Sequence, residues 1–235
     1  MNNKNSRTEQ LLGNSAIDKL KNSRVAIFGV GGVGGYTLEA LVRTGVGNID
    51  VFDADTVSDT DFNRQIIAVD NEIGNKKTDA AYNRAKSMNK DINIVVHDVF
   101  YLPDTADSVD LSVYDYIVDA VDTVTAKIEL IVRANKLGVP IISVMGTGNK
   151  MDATRLTVSD IYKTENCPLS RIMRYELKKR GIKKLKVVWS PETPAKVTVN
   201  STAANHTPAS CIFVPAAAGI IAAGEVVRDI IKEEK

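Results

Sequence analysis

The segment 24–34 restricts the fold of this chain more than any other part of the sequence. A short apolar run over 25–28 leads into Gly29-Val-Gly-Gly-Val-Gly34, and apolar residues recur at helical spacing from Leu38 to Val42. The pattern predicts a strand, a glycine turn and a helix. Glycines in this G-x-G-x-x-G arrangement let the backbone approach a phosphate at a helix N-terminus. The candidate nucleotide-binding glycines are Gly29, Gly31, Gly32 and Gly34.

The remainder of the chain alternates short apolar runs with helical stretches. Runs at 49–53, 92–96, 116–120 and 139–144 have the composition of strands, and helical patterns occupy 76–88 and 125–137. Strands and helices that alternate in this way predict an α/β fold, Rossmann-like and doubly wound, with a mostly parallel sheet and helices on both faces. Beyond Gly146 we expect strands at 155–159 and 184–189, helices at 168–180 and 216–231, and a polar loop at 190–208.

An acidic residue closes the second predicted strand. Asp53 follows the glycines by about 20 residues, the spacing at which an acid reaches ribose hydroxyls in dinucleotide-binding folds. ATP and NAD would both use this carboxylate. Asp53 and the glycines therefore predict a nucleotide site without choosing between the two.

Two cations and one further acid favour ATP. The planar guanidinium group of Arg64 and the ammonium group of Lys77 could both bind the oxygens of a triphosphate. A dehydrogenase has no comparable need for these two cations. Asp119 and Asp122 follow the fourth strand, at the sheet edge where doubly wound folds bind ligands. We assign Asp122 to the Mg²⁺ that accompanies ATP and expect Asp119 to cap a helix or turn.

Composition limits the metal sites that the chain could build and predicts its location in the cell. The chain has 235 residues and two cysteines, Cys167 and Cys211, so it cannot build a four-thiolate zinc site. Polar termini and the lack of a long apolar stretch predict a cytoplasmic protein that does not enter a membrane.

One segment of the chain is strongly basic. Residues 150–189 hold eleven Lys or Arg and four Asp or Glu, an excess that could face phosphates or form an ordinary solvated surface. Tyr175 and Trp189 lie in this segment, and each could stack on a nucleobase or belong to the core.

The motifs together resemble the ThiF/MoeB branch of the ubiquitin-activating superfamily. The resemblance lies in the GxGGxG turn, the Asp53-Ala-Asp55 strand end, the Asn63-Arg-Gln65 segment, the helix start at Lys77 and the D-x-x-D strand end, in that family's order. It implies that Asp55 and Asn63 also contact ATP, and that a substrate carboxylate becomes an acyl-adenylate with release of pyrophosphate. By position, Arg7 matches an arginine that a partner subunit contributes, which implies a homodimer.

A closer resemblance extends over nearly the whole chain. The early Arg-x-x-x-Leu-x-Gly, the Ala40 to Gly47 helix end and the late Phe213-Val-Pro-Ala-Ala-Ala-Gly219 segment are similar to tRNA threonylcarbamoyladenosine dehydratases. That family implies ATP, Mg²⁺ and tRNA as ligands, and cyclisation of the modified adenosine with loss of water. We expect one ThiF-type domain over 1–235, with a nucleotide-binding core at about 20–150 and a substrate-facing part at about 151–235.

Alternatives and departures from the family pattern remain open. The rivals are activation of a ubiquitin-like sulfur carrier, with a sulfur-transfer protein as partner, a NAD-dependent oxidoreductase, and a non-catalytic nucleotide-binding module. Asp61 stands where the family usually has Asn, and it could bind the metal or point away. Cys167 stands where relatives often have Asp. Cys211 matches a cysteine suspected of a role in some relatives, but it is equally consistent with a buried small hydrophobe.

Overall fold

The computed structural model describes residues 4–196 and 208–232, and within them it places seven strands in one sheet. The spatial order is β3-β2-β1-β4-β5-β7-β6, with parallel pairing throughout except for β6, which runs antiparallel to β7 at one edge. The prediction of a mostly parallel α/β sheet is confirmed. The strands are β1 Arg24–Phe28, β2 Asn48–Asp53, β3 Asn93–Asp98, β4 Tyr116–Asp119, β5 Ile141–Val144, β6 Thr157–Asp160 and β7 Lys186–Trp189.

The helices connect these strands and cover both faces of the sheet. They are α1 Ser6–Leu12, α2 Asn14–Asn22, α3 Gly34–Thr44, α4 Lys77–Met88, α5 Val124–Leu137, α6 Pro168–Lys179 and α7 Phe213–Ile231. The sequence patterns located five of them to within a few residues and did not identify α1 or α2. The predicted loop at 190–208 lies partly outside the described residues.

Alternating side chains of β1 separate two layers of core. Val25 and Ile27 point to a cluster that also contains buried residues of α2, α3, α4 and α7. Ala26 and Phe28 point to the opposite side, where α5 supplies the covering side chains, and a further cluster joins α5 to α6. The period of two along a strand thus gives helices on both faces, as the sequence predicted.

The C-terminal helix α7 packs tightly against α3. Thr37 Oγ1 donates to Gly219 O at 3.1 Å, and a Cβ atom on Gly219 would lie 2.3 Å from Val33 O. Only a residue without a side chain permits this approach. The helix that follows the glycine turn is therefore held in place by the last helix of the chain.

Candidate active site

A cavity of about 460 Å³ opens at the carboxyl ends of β1, β2 and β4. The strand order reverses direction between β1 and β4, which is where open α/β sheets bind ligands. Eight of the predicted site residues line this cavity: Gly29, Gly31, Gly32, Asp53, Asp55, Arg64, Lys77 and Asp122.

The glycine turn, residues 29–34, depends on close backbone contacts. Gly29 has φ +84°, and a Cβ there would lie 2.8 Å from Ala120 O. A Cβ on Gly34 would lie 1.8 Å from Gly29 O, so no other residue fits without moving the turn. Gly29 and Gly34 therefore shape the turn, and Gly29, Gly31 and Gly32 line the cavity. Gly34 itself lies outside the cavity wall.

Two backbone amides orient the Asp53 carboxylate. Its Oδ2 accepts from Val30 N at 2.8 Å and its Oδ1 accepts from Asp55 N at 2.9 Å. Burial raises the pKa of Asp53, and these two hydrogen bonds act in the opposite direction. A carboxylate has about four acceptor sites, so two remain for the hydroxyls of a ligand.

Arg64 is held at the cavity by the loop that precedes it. Its Nη1 donates to Thr60 O at 2.8 Å and to Asn63 Oδ1 at 3.0 Å, and its Nη2 lies 3.3 Å from Asp61 Oδ1. Asn63 is not part of the cavity wall, and its Nδ2 donates to Ser210 O at 2.8 Å. Asn63 thus connects Arg64 to the C-terminal part of the chain.

The carboxylate of Asp61 is held by donors of its own loop. Its Oδ2 accepts from both the backbone and the hydroxyl of Ser58, each at 3.1 Å, and its Oδ1 accepts from Gln65 Nε2 at 2.6 Å. With Arg64 beside it, the buried carboxylate has an opposite charge and several donors. Asp61 therefore stabilises the loop that carries Arg64, although it also reaches the cavity wall.

Lys77 is the first residue of α4, and its side chain lines the cavity beside Asp55. Its Nζ lies 2.9 Å from Asp55 Oδ2, and its backbone N–H donates to Asp55 O at 2.9 Å. The Lys77 side chain is nearly buried and the Asp55 side chain is half-exposed. A ligand phosphate at this position would meet an ammonium group that is already fixed in place.

The two acids after β4 have different environments. Asp119 is fully buried and accepts from Lys127 Nζ at 3.0 Å, from Ser143 Oγ, and from Val121 N at 3.3 Å. The turn contact agrees with the predicted cap, but the ion pair with Lys127 was not predicted. It joins α5 to β4 and β5.

Asp122 is exposed at the cavity, and its Oδ1 accepts a hydrogen bond from Thr123 Oγ1 at 3.3 Å. Within residues 4–196 and 208–232, no group of three or more His, Cys, Asp or Glu side chains could hold a metal ion. A Mg²⁺ at Asp122 would therefore need phosphate oxygens or water as its other ligands, an arrangement typical of Mg²⁺.

The sequence patterns missed two parts of the cavity. Gln65 is 5% exposed and lines the cavity, and its Oε1 is buried without a hydrogen-bond partner among the described residues. Residues 99–102, which follow β3, add an apolar surface in which the side chains of Phe100 and Leu102 are exposed. Their place after a strand at the ligand-binding edge was the available signal.

Two segments, 147–149 and 208–215, supply the cavity residues Thr147, Ser210 and Pro215, and we call these segments the far wall. Asn149 has φ +58°, its backbone N–H donates to Ala209 O at 2.7 Å, and its Oδ1 accepts from Ala209 N at 2.8 Å. The Cβ of Pro215 is 3.4 Å from where a Cβ on Gly32 would lie. Asn149 thus fixes the segment that faces the glycine turn.

Arg7 does not contribute to the cavity of its own chain. It is exposed on α1, and Asn5, just before α1, contacts Gly45 at the C-terminal end of α3. The cavity lies at the other end of α3, beside the glycine turn. Arg7 could therefore serve a cavity only in another copy of the chain.

The cysteines are separate from each other and from the cavity lining. Cys167 is buried in the core beneath α6. Cys211 is half-buried, with its Sγ 3.4 Å from Met151 Sδ, and it is adjacent in sequence to the cavity residue Ser210. Of the helices in the described part of the chain, none is long and apolar enough to cross a bilayer.

Comparison with known proteins gives one consistent relationship. A tRNA threonylcarbamoyladenosine dehydratase of Bacillus subtilis is 39% identical over 240 residues, covering 97% of this chain and 94% of the relative. Two crystal structures of the Escherichia coli tRNA N6-threonylcarbamoyladenosine dehydratase, with AMP and with ATP, superpose with TM-scores of 0.89 and 0.86. Each is 28% identical, and each alignment covers 96% of this chain and 93% of the other.

The family model described as the ThiF family matches residues 4–234. This range includes α1 and α2 before the nucleotide-binding unit and the far wall after it. The chain therefore belongs to the ThiF family.

Proposed function

We propose that this protein uses ATP to activate the carboxylate of threonylcarbamoyladenosine in tRNA and closes a ring on that nucleoside by loss of water. The observation that carries the proposal is that Arg64, Lys77 and the glycine turn line the same cavity. A NAD-dependent oxidoreductase has no comparable need for two cations at that position. The full-length match to tRNA threonylcarbamoyladenosine dehydratases supports this substrate.

The cavity residues suit the parts of ATP. Asp53 retains acceptor sites for the ribose hydroxyls, and Gly31 and Gly32 expose backbone where phosphates approach a helix N-terminus. Arg64 and Lys77 would neutralise the phosphates. The apolar surface over 99–102 suits a nucleobase.

Asp122 is the proposed ligand of Mg²⁺. When bound, Mg²⁺ would offset charge on the phosphates and so favour departure of pyrophosphate. Asp122 suits this role because its carboxylate is exposed at the cavity, whereas Asp119 is already engaged by Lys127 and Ser143.

The reaction has two covalent steps. A carboxylate oxygen of the substrate attacks the α-phosphorus of ATP, the bond from that phosphorus to the oxygen bridging the β-phosphorus breaks, and pyrophosphate leaves. An oxygen within the threonylcarbamoyl group then attacks the activated carbonyl carbon, AMP leaves with the former carboxylate oxygen, and a proton is lost. The internal nucleophile acts at high effective concentration, so no protein thiol is needed.

A homodimer is part of the proposal. Arg7 is exposed and lies at the end of α3 opposite the cavity, so a second copy is the way in which it could reach a phosphate site. A cytoplasmic location fits a tRNA substrate. A sulfur-transfer or ubiquitin-like protein partner stays a prediction.

Mass spectrometry of nucleosides tests the proposed function. Threonylcarbamoyladenosine-containing tRNA is incubated with the protein, ATP and Mg²⁺, and mild work-up preserves the cyclic product. We expect that nucleoside to lose one water when ATP is present, and to stay unchanged without ATP or with Lys77→Ala. An unchanged nucleoside alongside normal ATP binding would reject tRNA as the substrate and direct attention to a Gly-Gly protein terminus.

A further inference from the structure

Helix α6 buries one face and exposes a basic one. Ser170, Met173 and Leu177 are buried, the last two in the cluster that α6 shares with α5 and β7. Arg171, Tyr175 and Lys178 follow one another at helical spacing on the outer side. Residues 161–185 contain eight Lys or Arg and two Glu.

Six of these eight cations have no acidic partner in the described parts of the chain. Glu176 already engages Lys179 and Arg180, and Arg174 donates to Thr164 O at 2.8 Å. The remaining cations are exposed. Unpaired cations on a surface attract phosphates over a range set by salt. We define the α6 surface as Arg171, Tyr175, Lys178, Lys183 and Lys184.

Tyr175 distinguishes the α6 surface from an ordinary solvated helix face. Its side chain is 61% exposed, and Lys179 Nζ lies 4.0 Å from the centre of its ring. Trp189, the other aromatic candidate, is 6% exposed and donates from Nε1 to Ser159 Oγ at 2.8 Å, so it belongs to the core. An exposed ring among cations is the combination on which single-stranded bases stack.

The α6 surface begins beside the cavity. A Cβ on Gly146 would lie 3.7 Å from Leu169 Cβ in the first turn of α6, and the next residue, Thr147, lines the cavity. Twelve helical residues extend about 18 Å, and α6 leads from this edge of the sheet towards the opposite edge, where β7 begins parallel to β5. A polymer with one residue in the cavity would continue across a neighbouring surface of this kind.

We propose that the α6 surface binds the stretch of tRNA adjacent to the reacting nucleoside, with its cations on backbone phosphates and Tyr175 stacked on an unpaired base. This rests on the proposed function, because the cavity fixes where the RNA enters. RNA is favoured over an anionic membrane, since the basic region adjoins the cavity and carries an exposed ring.

The experiment measures tRNA affinity as a function of salt for matched variants. Lys178→Gln with Lys183→Gln is compared with Lys21→Gln and Lys90→Gln, which are equally exposed lysines of α2 and of the loop before β3. At about 0.1 M salt we expect at least about a tenfold loss of affinity in the α6 pair, and a salt slope smaller by about 1.5. The control pair should behave as wild type.

Tyr175→Leu separates stacking from charge. We expect about a fivefold or greater loss of tRNA affinity with an unchanged salt slope. Its matched control is Tyr82→Leu on α4, where Lys86 Nζ lies 5.7 Å from a ring that is 39% exposed. The KM for ATP should be unchanged in every variant, which excludes a folding defect.

Three results separate the two proposals. Equal affinity and slope in the α6 and control variants would overturn the α6 surface, even if wild type dehydrates the nucleoside. Loss of binding in the α6 variants would support the surface even if the nucleoside is unchanged, and the proposed function alone would then fail. Retained tRNA binding with lost binding to phosphatidylserine vesicles would assign the surface to membranes instead.

Discussion

The two walls of the cavity are built in different ways. The glycine turn and Asp53 come from one β-α-β unit, where the turn backbone packs so closely that a Cβ on Gly34 would lie 1.8 Å from Gly29 O, and where Val30 N donates to the Asp53 carboxylate. The far wall joins residues 147–149 to 208–215, and it is fixed by the side chain and left-handed backbone of Asn149. A wall of backbone contacts tolerates almost no substitution, whereas a wall held by side chains can change its shape.

This difference suggests that the two walls serve different ligands. The glycine turn has the rigid geometry that a phosphate needs, and phosphate is common to every ATP-using relative. The far wall faces it across the cavity and connects to Arg64 through Ser210 and Asn63. We therefore expect damage to the first wall to abolish nucleotide use, and damage to the second to affect mainly the nucleoside substrate.

Gly34→Ala should have the largest effect. The added Cβ would lie 1.8 Å from Gly29 O, so the turn must open, at a cost of about 3 kcal/mol in the free energy of unfolding. Urea unfolding measures this loss, and ATP turnover should vanish. Gly31→Ala is the control, because its Cβ would lie 3.7 Å from Gln65 Nε2 in ordinary contact. We expect it to stay within about 0.5 kcal/mol of wild type while binding ATP more weakly. Equal stability of the two variants would contradict a backbone-built wall.

Lys77→Ala should come next. Loss of a fixed cation beside the phosphates should lower kcat/KM for ATP by about 100-fold, measured by pyrophosphate release. The neighbouring Lys76→Ala serves as the control, since Lys76 is exposed and pairs with Asp98 outside the cavity. If both lysines proved equally dispensable, Lys77 would have no role in phosphate chemistry.

Asn149→Ala should have a smaller effect, of about tenfold in kcat/KM for tRNA, because it removes the bond to Ala209 N and adds about 1 kcal/mol of backbone strain. Asn166→Ala introduces comparable strain at φ +52° without touching the far wall. Steady-state kinetics with both substrates distinguishes the variants. An equal loss in the two would show that strain alone, and not the far wall, causes the defect.

Cys211→Ser should have the smallest effect, with turnover within about twofold of wild type. The Sγ atom contacts Met151 Sδ and the cyclisation has its own internal nucleophile. Single-turnover formation of the cyclic nucleoside is the appropriate measurement. A loss comparable to that of Lys77→Ala would instead indicate that Cys211 acts as a nucleophile.

Sequence patterns were sufficient where the structure is local. The β1, α3 and β2 unit followed from apolar runs and glycines, and the edge at which ligands bind followed from strand direction. Helix α1 was missed because it has no buried residue, and Leu11 is 82% exposed, so no apolar period marks it. Helix α2 is short and buries only three side chains.

The remaining site features depend on contacts between distant residues. No sequence pattern marks Lys127 as the partner of a buried acid, because only folding brings Asp119 and Ser143 next to it. Asn149 and Ala209 are 60 positions apart, and no local rule relates them. Asp61 suggested a charge near the phosphates, and only its bonds to Ser58 and Gln65 show that the carboxylate stabilises its own loop.

The packing of Gly219 against Val33 and Thr37 has a consequence for biosynthesis. Translation delivers residues 29–34 to the folding chain long before α7 leaves the ribosome. Until α7 arrives, α3 lacks one of its main packing partners and the apolar cluster on that face of the sheet stays open. We therefore expect nascent chains to acquire ATP binding only after α7 has left the ribosome, so that shorter copies do not consume ATP.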